Sequence, residues 1–126
     1  MLDASAVVDW LKGRPNAVRL FGDLIQRGQT LALNSVCVAE VYSGLAEDER
    51  EPMDRVVGSL EYWNIDATTA RLAGHYRYVY LRQGQPLSVP DTLMAAHAVA
   101  NDATLITGNV KDFPMPELRV EKLLLG

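Results

Sequence analysis

LSVPDTLMAAHAVANDATLITGNVKDF, residues 87–113, reads as a turn, a helix, a strand and a second turn. Pro90 suits the first turn of a helix, where its missing N–H costs nothing. Asp91 follows it and stands where the helix dipole stabilises a negative charge. Leu93, Ala96 and Ala100, with the neighbouring Ala95 and Val99, predict a wide apolar face at helical spacing. Asn101-Asp102 stops the helix. Thr104-Leu105-Ile106-Thr107 is a short apolar run with β-branched residues, the mark of a buried strand. Gly108-Asn109 turns the chain into Lys111-Asp112-Phe113-Pro114. A carboxylate opening a helix, and an acidic turn just past the next strand, are ingredients of a site at one edge of a parallel sheet.

The same alternation runs through the rest of the chain. Met1-Leu2 is a scrap of strand that Asp3 ends, and Ala4 to Leu11 reads as a helix closed by Gly13 and Pro15. Asp3 reads either as the cap of that helix or as a metal ligand, and local grounds alone favour the cap. Ser5 is either a first-turn residue or a hydroxyl behind the ligands. Asn16 to Gln29 is expected as a second helix with Val18, Phe21, Leu24 and Ile25 on one face. Thr30 to Leu33 is a second strand, and Asn34-Ser35 caps a third helix, SVCVAEVYSGL. Glu40 sits in that helix among Val36, Val38, Ala39, Val41 and Leu45. Buried there it would need a partner, but one residue's rotation puts it in solvent, and the two readings balance. Glu47 to Glu51 is a charge run that reads as a solvated turn. A fourth helix over 52–60, a third strand at Trp63-Asn64-Ile65, a fifth helix from Asp66 to about Gln83 and a last strand within 118–125 complete the pattern. His75, among tyrosines, reads as a packing or surface residue. His97, with no second His or Cys nearby, reads as a core or surface histidine rather than a zinc ligand.

Strand and helix alternating along 126 residues predict one domain over 1–126, a three-layer α/β/α sandwich with a mostly parallel sheet. In such sheets the crevice lies at the carboxyl ends of the strands. Asp3, Glu40, Asp91, Asn109 and Asp112 all follow strands or open helices on that side. Hydrophobic residues at 48% and charged residues at 22% are an ordinary globular balance. No apolar run approaches the ~20 residues of a membrane span. Asp3 falls where a basic leader would stand, so no secretory signal is expected. Cys37 is the only cysteine, which excludes an internal disulfide and a cysteine zinc site. These features point to the cytoplasm. The net charge of −4 argues against a general nucleic-acid coat, but not against a nuclease whose carboxylates hold metal.

LDAS (2–5), AEVYSGL (39–45), PDTLMAAHA (90–98) and LITGNVKDF (105–113) together resemble the four motifs of PIN-domain ribonucleases, and among these the VapC-type toxins of toxin–antitoxin pairs. Each motif is weak alone; the four in this order span nearly the whole chain. The resemblance implies that Asp3, Glu40 and Asp91 are the principal metal-binding carboxylates. It implies Asp112 as the fourth acid, Asn109 as a polar residue that orients a water or ligand, and Ser5 as the small hydroxyl of the first motif. It further implies Mg²⁺ or Mn²⁺ as cofactor, RNA as substrate, an antitoxin as partner and a homodimer. Family members carry several apolar residues before the first aspartate, where this chain shows only Met1 and Leu2.

The chemistry agrees with that implication on its own terms. Carboxylates are hard ligands that select Mg²⁺ or Mn²⁺ over zinc. Ions so held can bind a phosphodiester oxygen and activate a water. No nucleophilic serine, cysteine or lysine is required, and no Gly-rich phosphate loop appears. Two other readings compete. A receiver-like phosphoacceptor domain would show an acidic pair after the first strand, where this chain has Asp3-Ala4. A catalytically degenerate PIN fold, serving as a binding module, has the short opening strand in its favour.

Overall fold

Asp3 leaves a strand only one bridge long, and that bridge is the middle of the sheet. In the computed structural model, which describes residues 1–126, Leu2 pairs in parallel with Ile106. The Leu2 N–H donates to the Ala32 carbonyl at 3.0 Å, the Asp3 N–H to the Ile106 carbonyl at 3.0 Å, and the Ile106 N–H to the Met1 carbonyl at 2.9 Å. On one side stands β1 (Ala32–Leu33), parallel to β2 (Glu61–Tyr62). On the other stands β3 (Leu105–Thr107), parallel to β4 (Val120–Lys122). The order across the sheet is therefore β2, β1, Leu2, β3, β4. The chain starts in the centre, winds outward through β1 and β2, and crosses back to β3. The reversal falls between Leu2 and β3, the point where open parallel sheets form their crevice. Asp3 and the turn after Thr107 both leave the sheet there.

Six helices complete the three-layer sandwich: α1 (Ala4–Leu11), α2 (Pro15–Gln26), α3 (Ser35–Ser43), α4 (Glu51–Ser59), α5 (Ala67–Arg82) and α6 (Val89–Ala100). Their starts follow local chemistry. Pro15 opens α2, and Gly13 turns the chain before it at φ +67. The Asn34 side chain accepts from the Cys37 N–H and caps α3. Asp66 accepts from the Thr69 N–H at 2.8 Å and caps α5, far from any acid pair, which removes the receiver-like reading. α6 ends at Asn101, and Asp102 takes the left-handed conformation at φ 51. No helix is long and apolar enough to cross a membrane.

Packing corrects the expected faces. In α2, Ala17 and Phe21 are buried, while Val18 and Ile25 are 47% and 52% exposed. Phe21 fixes this rotation by standing edge-on to Trp10 of α1, with ring centroids 4.7 Å apart. In α6 the buried residues are Thr92 and Met94 to Ala98, rather than the stripe through Leu93, Ala96 and Ala100. α6 packs on α5, α3 and β3 at once, so burial wraps round its middle and erases the one-faced pattern. Its alanines let these neighbours approach closely. β2 lies at 61–62, ahead of the expected 63–65, because this is an edge strand with both residues exposed and no apolar run marks it. Trp63 still donates its N–H to the Leu33 carbonyl at 2.8 Å. The charge run forms a short 3-10 turn, Glu47–Glu49, with no buried residue.

The tail closes over the same sheet edge. The Leu123 N–H donates to the Thr107 carbonyl at 2.9 Å. The Gly126 N–H donates to Asp9 Oδ2 at 2.8 Å, and Asn16 donates to the Leu124 carbonyl at 3.2 Å. Leu125 lies directly over Gly108, so that a Cβ there would collide with its side chain. Gly108→Ala is therefore expected to cost roughly 1–3 kcal/mol of stability, the usual penalty of overpacking. Adding Leu125→Ala should restore most of it. Thermal unfolding of the single and double variants checks this, and an unchanged melting temperature in Gly108→Ala would contradict it.

Candidate active site

Asp3 stands at the N-cap position of α1, but its side chain makes no capping hydrogen bond. Its Oδ2 instead accepts from Thr107 Oγ1 at 2.7 Å and from Ser5 Oγ at 3.0 Å. The two hydroxyls are held in turn: Ser5 Oγ accepts from the Gly108 N–H at 3.1 Å, and Thr107 Oγ1 from the Asn109 N–H at 3.0 Å. Asp3 is buried, yet no protein donor reaches its Oδ1, and that atom keeps contact with solvent. One carboxylate oxygen is thus fixed, and the other is free to take a ligand. The main-chain bonds of Asp3 to β3 hold the residue firmly although the strand before it is short.

Three further acids border the crevice. Asp91 sits in the first turn of α6, where its N–H donates to Ser88 Oγ at 3.1 Å. Burial pushes its carboxyl above the usual aspartate range, the Ser88 hydroxyl opposes this, and the charges of Asp112 and Asp3 add to the push. Glu40, in the middle of α3, is also pushed up, first by burial and then by Asp3 and Asp91. The residue is exposed as a whole, so solvent screens part of that push. Asp112 ends the 3-10 turn Val110–Asp112 and is half-buried. Each acid therefore feels at least one other. No three of them are drawn to metal-holding distance around one point. The side chain of Asn109 is exposed, and its backbone shapes the turn: its N–H donates to Thr107 Oγ1 and its carbonyl accepts from the Asp112 N–H at 3.0 Å.

No cation of the chain balances these acids. The ion pairs are Arg27–Asp23, Arg55–Glu51 and Arg119–Asp102, all exposed and all elsewhere. Cys37 lies beneath the acids, and burial, then Asp3 and Glu40, push its thiol up to about 12. It is neither a nucleophile nor a thiolate ligand at neutral pH. A hollow of about 480 Å³ lies at the opposite ends of the strands, lined by Met1, Thr30, Thr104 and Arg119 among others, and touches none of these four acids. The crevice itself is open, with hard oxygen donors and unbalanced negative charge. That donor set fits Mg²⁺ or Mn²⁺.

The sequence reading missed Thr107 and Ser88. Thr107 reads as one more β-branched strand residue; its position, last before the turn at the carboxyl end of a strand, is the signal that finds it. Ser88, two residues before Pro90, is an ordinary capping signal.

A pH dependence follows from the two raised carboxyls. Both hold protons more tightly in the fold than in the unfolded chain. Their contribution to stability is full below the ordinary values, 3.8 for Asp91 and 4.5 for Glu40, and is lost as pH rises through the raised ones. The metal-free wild type should therefore lose stability relative to Asp91→Asn as pH rises above 3.8, the ordinary value of the aspartate. Melting curves of both proteins in chelator check this, and parallel pH profiles would contradict it.

Comparison with known proteins agrees with this geometry. The PIN domain profile matches residues 1–114. Ribonuclease VapC19 of Mycobacterium tuberculosis is 30% identical over 120 residues, covering 94% of this chain and 96% of that protein. Ribonuclease VapC2 of Rickettsia felis is 28% identical over 127 residues, covering 96% and 95%. The crystal structure of VapBC2 from Rickettsia felis, bound to a DNA fragment from its promoter, superposes with a TM-score of 0.82 at 27% identity, covering 97% of this chain and 96% of that one. A profile match over residues 1–114 and relatives that match along nearly the whole chain place this protein in the PIN-domain family, beside the VapC ribonucleases.

Proposed function

We propose that this chain is a metal-dependent endoribonuclease that hydrolyses RNA phosphodiester bonds and acts as the toxin of a toxin–antitoxin pair. The observation that carries the reading is the set of four acids, Asp3, Glu40, Asp91 and Asp112, at the central switch point, with Asp3 Oδ2 fixed by two hydroxyls. The names of the relatives support the same activity, and the VapBC2 complex supports an antitoxin as partner. The four acids would hold Mg²⁺ or Mn²⁺. When bound, such an ion supplies charge stabilisation at the phosphate and a more acidic water.

The chain's own residues do the rest. Thr107 and Ser5 keep Asp3 in one rotamer with Oδ1 toward the crevice. With an ion bound, Glu40 and Asp91 would be ionised carboxylates beside the attacking water, able to accept its proton. The oxygen of that water joins phosphorus, and the bond from phosphorus to the departing ribose oxygen breaks. The Asn109 amide, in the same turn as Asp112, would orient that water. The open crevice admits a polymer. We further propose a homodimer and a cytoplasmic location.

The test is incubation of purified protein with total RNA, with Mg²⁺ or Mn²⁺ and with chelator. Discrete internal cleavage with metal and none with chelator is the expected result. Intact RNA under both conditions would leave the fold as a binding module and overturn the reading.

A further inference from the structure

His97 and Asn34 form a fully buried polar pair, at 1% and 0% exposure, that the chemistry above does not use. Asn34 Oδ1 accepts the Cys37 N–H at 3.0 Å and so caps α3. This fixes the orientation of the amide, and its Nδ2 faces His97 Nδ1 at 2.9 Å. Two donors cannot share that contact, so Nδ1 is the acceptor and the imidazole is neutral, with its proton on Nε2. The backbone of Asn64 lies near the ring and favours its protonated form, and Trp63 stands edge-on with centroids 6.3 Å apart.

α3 and α6 are in contact. Asn34 and Glu40 are six residues apart on α3, and Asp91 and His97 are six apart on α6. Asn34 meets His97 while Glu40 feels Asp91, so the two helices run antiparallel. The clasp and the acid pair lie at opposite ends of one contact, about 9 Å apart at 1.5 Å per residue. A shift of α3 at its cap would carry Glu40 with it.

We propose that His97 is a positioning residue, which through Asn34 fixes the start of α3 and with it the placement of Glu40 against Asp91. The second half of this role rests on the nuclease reading of Glu40; the first half does not. Burial favours the neutral ring. Of the charged groups facing it, Asp66 at the cap of α5 favours the proton and the Met1 ammonium opposes it. β3 offers no titratable group, and the Cys37 thiol of α3 stays neutral. A proton on Nδ1 would set donor against donor and break the clasp, or turn the amide and uncap α3.

The test compares wild type, His97→Asn and His97→Leu. Asparagine keeps an acceptor where Nδ1 stood; leucine does not. In His97→Leu the Cys37 amide should exchange about tenfold faster relative to the Phe21 amide of α2, and Mn²⁺ binding should weaken by about 10–100-fold. In His97→Asn both should stay within about twofold of wild type, on the same scale of local opening. Nitrogen spectroscopy of the wild-type imidazole at neutral pH should show the Nε2–H tautomer. If His97→Leu does not fold, the tautomer and the His97→Asn ratios decide. An Nδ1–H tautomer, or an unchanged Cys37-to-Phe21 ratio in His97→Leu, overturns the proposal even if wild-type protein cleaves RNA. A clasp that behaves as expected in a protein that binds no metal and cleaves nothing fails the nuclease reading and leaves the cap role standing.

Discussion

Asp91→Asn should reduce RNA cleavage about a thousandfold or more while leaving the metal-free chain at least as stable as wild type. Asparagine has nearly the same shape. The backbone contact from residue 91 to the Ser88 hydroxyl does not involve the changed atoms, so the cap of α6 survives. What is lost is a charge that burial, Asp112 and Asp3 all make costly in the absence of a cation. With a cation, that same charge is part of what holds it. Losing several kcal/mol of charge stabilisation at the reacting phosphate corresponds to about three decades in rate, at 1.4 kcal/mol per decade. Single-turnover cleavage and thermal unfolding of the two proteins measure both halves. A folded variant with wild-type activity would show that Asp91 serves the fold and not the chemistry.

The second large effect is expected at Thr107. Thr107→Val keeps shape and β-branching and removes one hydroxyl. That hydroxyl donates to Asp3 Oδ2 at 2.7 Å and accepts from the Asn109 N–H at 3.0 Å. Asp3 then retains only Ser5, and the turn carrying Asn109 loses its anchor. Groups that orient metal ligands typically change affinity or activity by about 10–100-fold, and kcat/KM should fall in that range. Stability should fall by about 1 kcal/mol, the net value of a typical hydrogen bond, because Asp3 Oδ2 keeps Ser5 and the Asn109 N–H lies in an exposed residue. Thr107→Ser restores the hydroxyl and should recover most of both. Unchanged kcat/KM in Thr107→Val would mean that Ser5 alone suffices to orient Asp3.

What could be read in the sequence, and what could not, follows physical lines. Asp3 after a strand and Asp91 after a proline are local signals, and the alternation of strands and helices placed both at the same edge of the sheet. α1 and α5 carry caps or breakers at both ends, and their bounds match the reading closely. The faces of α2 and α6 were not legible. Periodicity reports which residues are apolar, while burial depends on what stands opposite: Trp10 turns α2, and three neighbours enclose α6. β2 was displaced because an exposed edge pair, Glu61 and Tyr62, has no apolar signature. The hydroxyl of Thr107 and the clasp of Asn34 with His97 join residues 104 and 63 positions apart, and no local pattern carries such pairs. At Asp3, cap or ligand, the side chain makes no capping hydrogen bond and accepts instead from the Thr107 and Ser5 hydroxyls. Glu40 stayed balanced between core and solvent because helical spacing alone does not fix its rotation; the structure leaves it exposed.

Asp3, Glu40, Asp91 and Asp112 are proposed to form a single divalent-cation site. Calorimetric titration of Mn²⁺ into chelator-treated wild type, Asp3→Asn and Asp91→Asn tests it most directly, with melting temperatures taken on the same samples. Wild type should bind Mn²⁺, and at 100 times the dissociation constant it should gain roughly 2.7 kcal/mol of stability. Both variants should lose most of the binding and most of the gain. Wild-type protein that neither binds Mn²⁺ nor melts higher in its presence, or variants that bind it as wild type does, would contradict the claim.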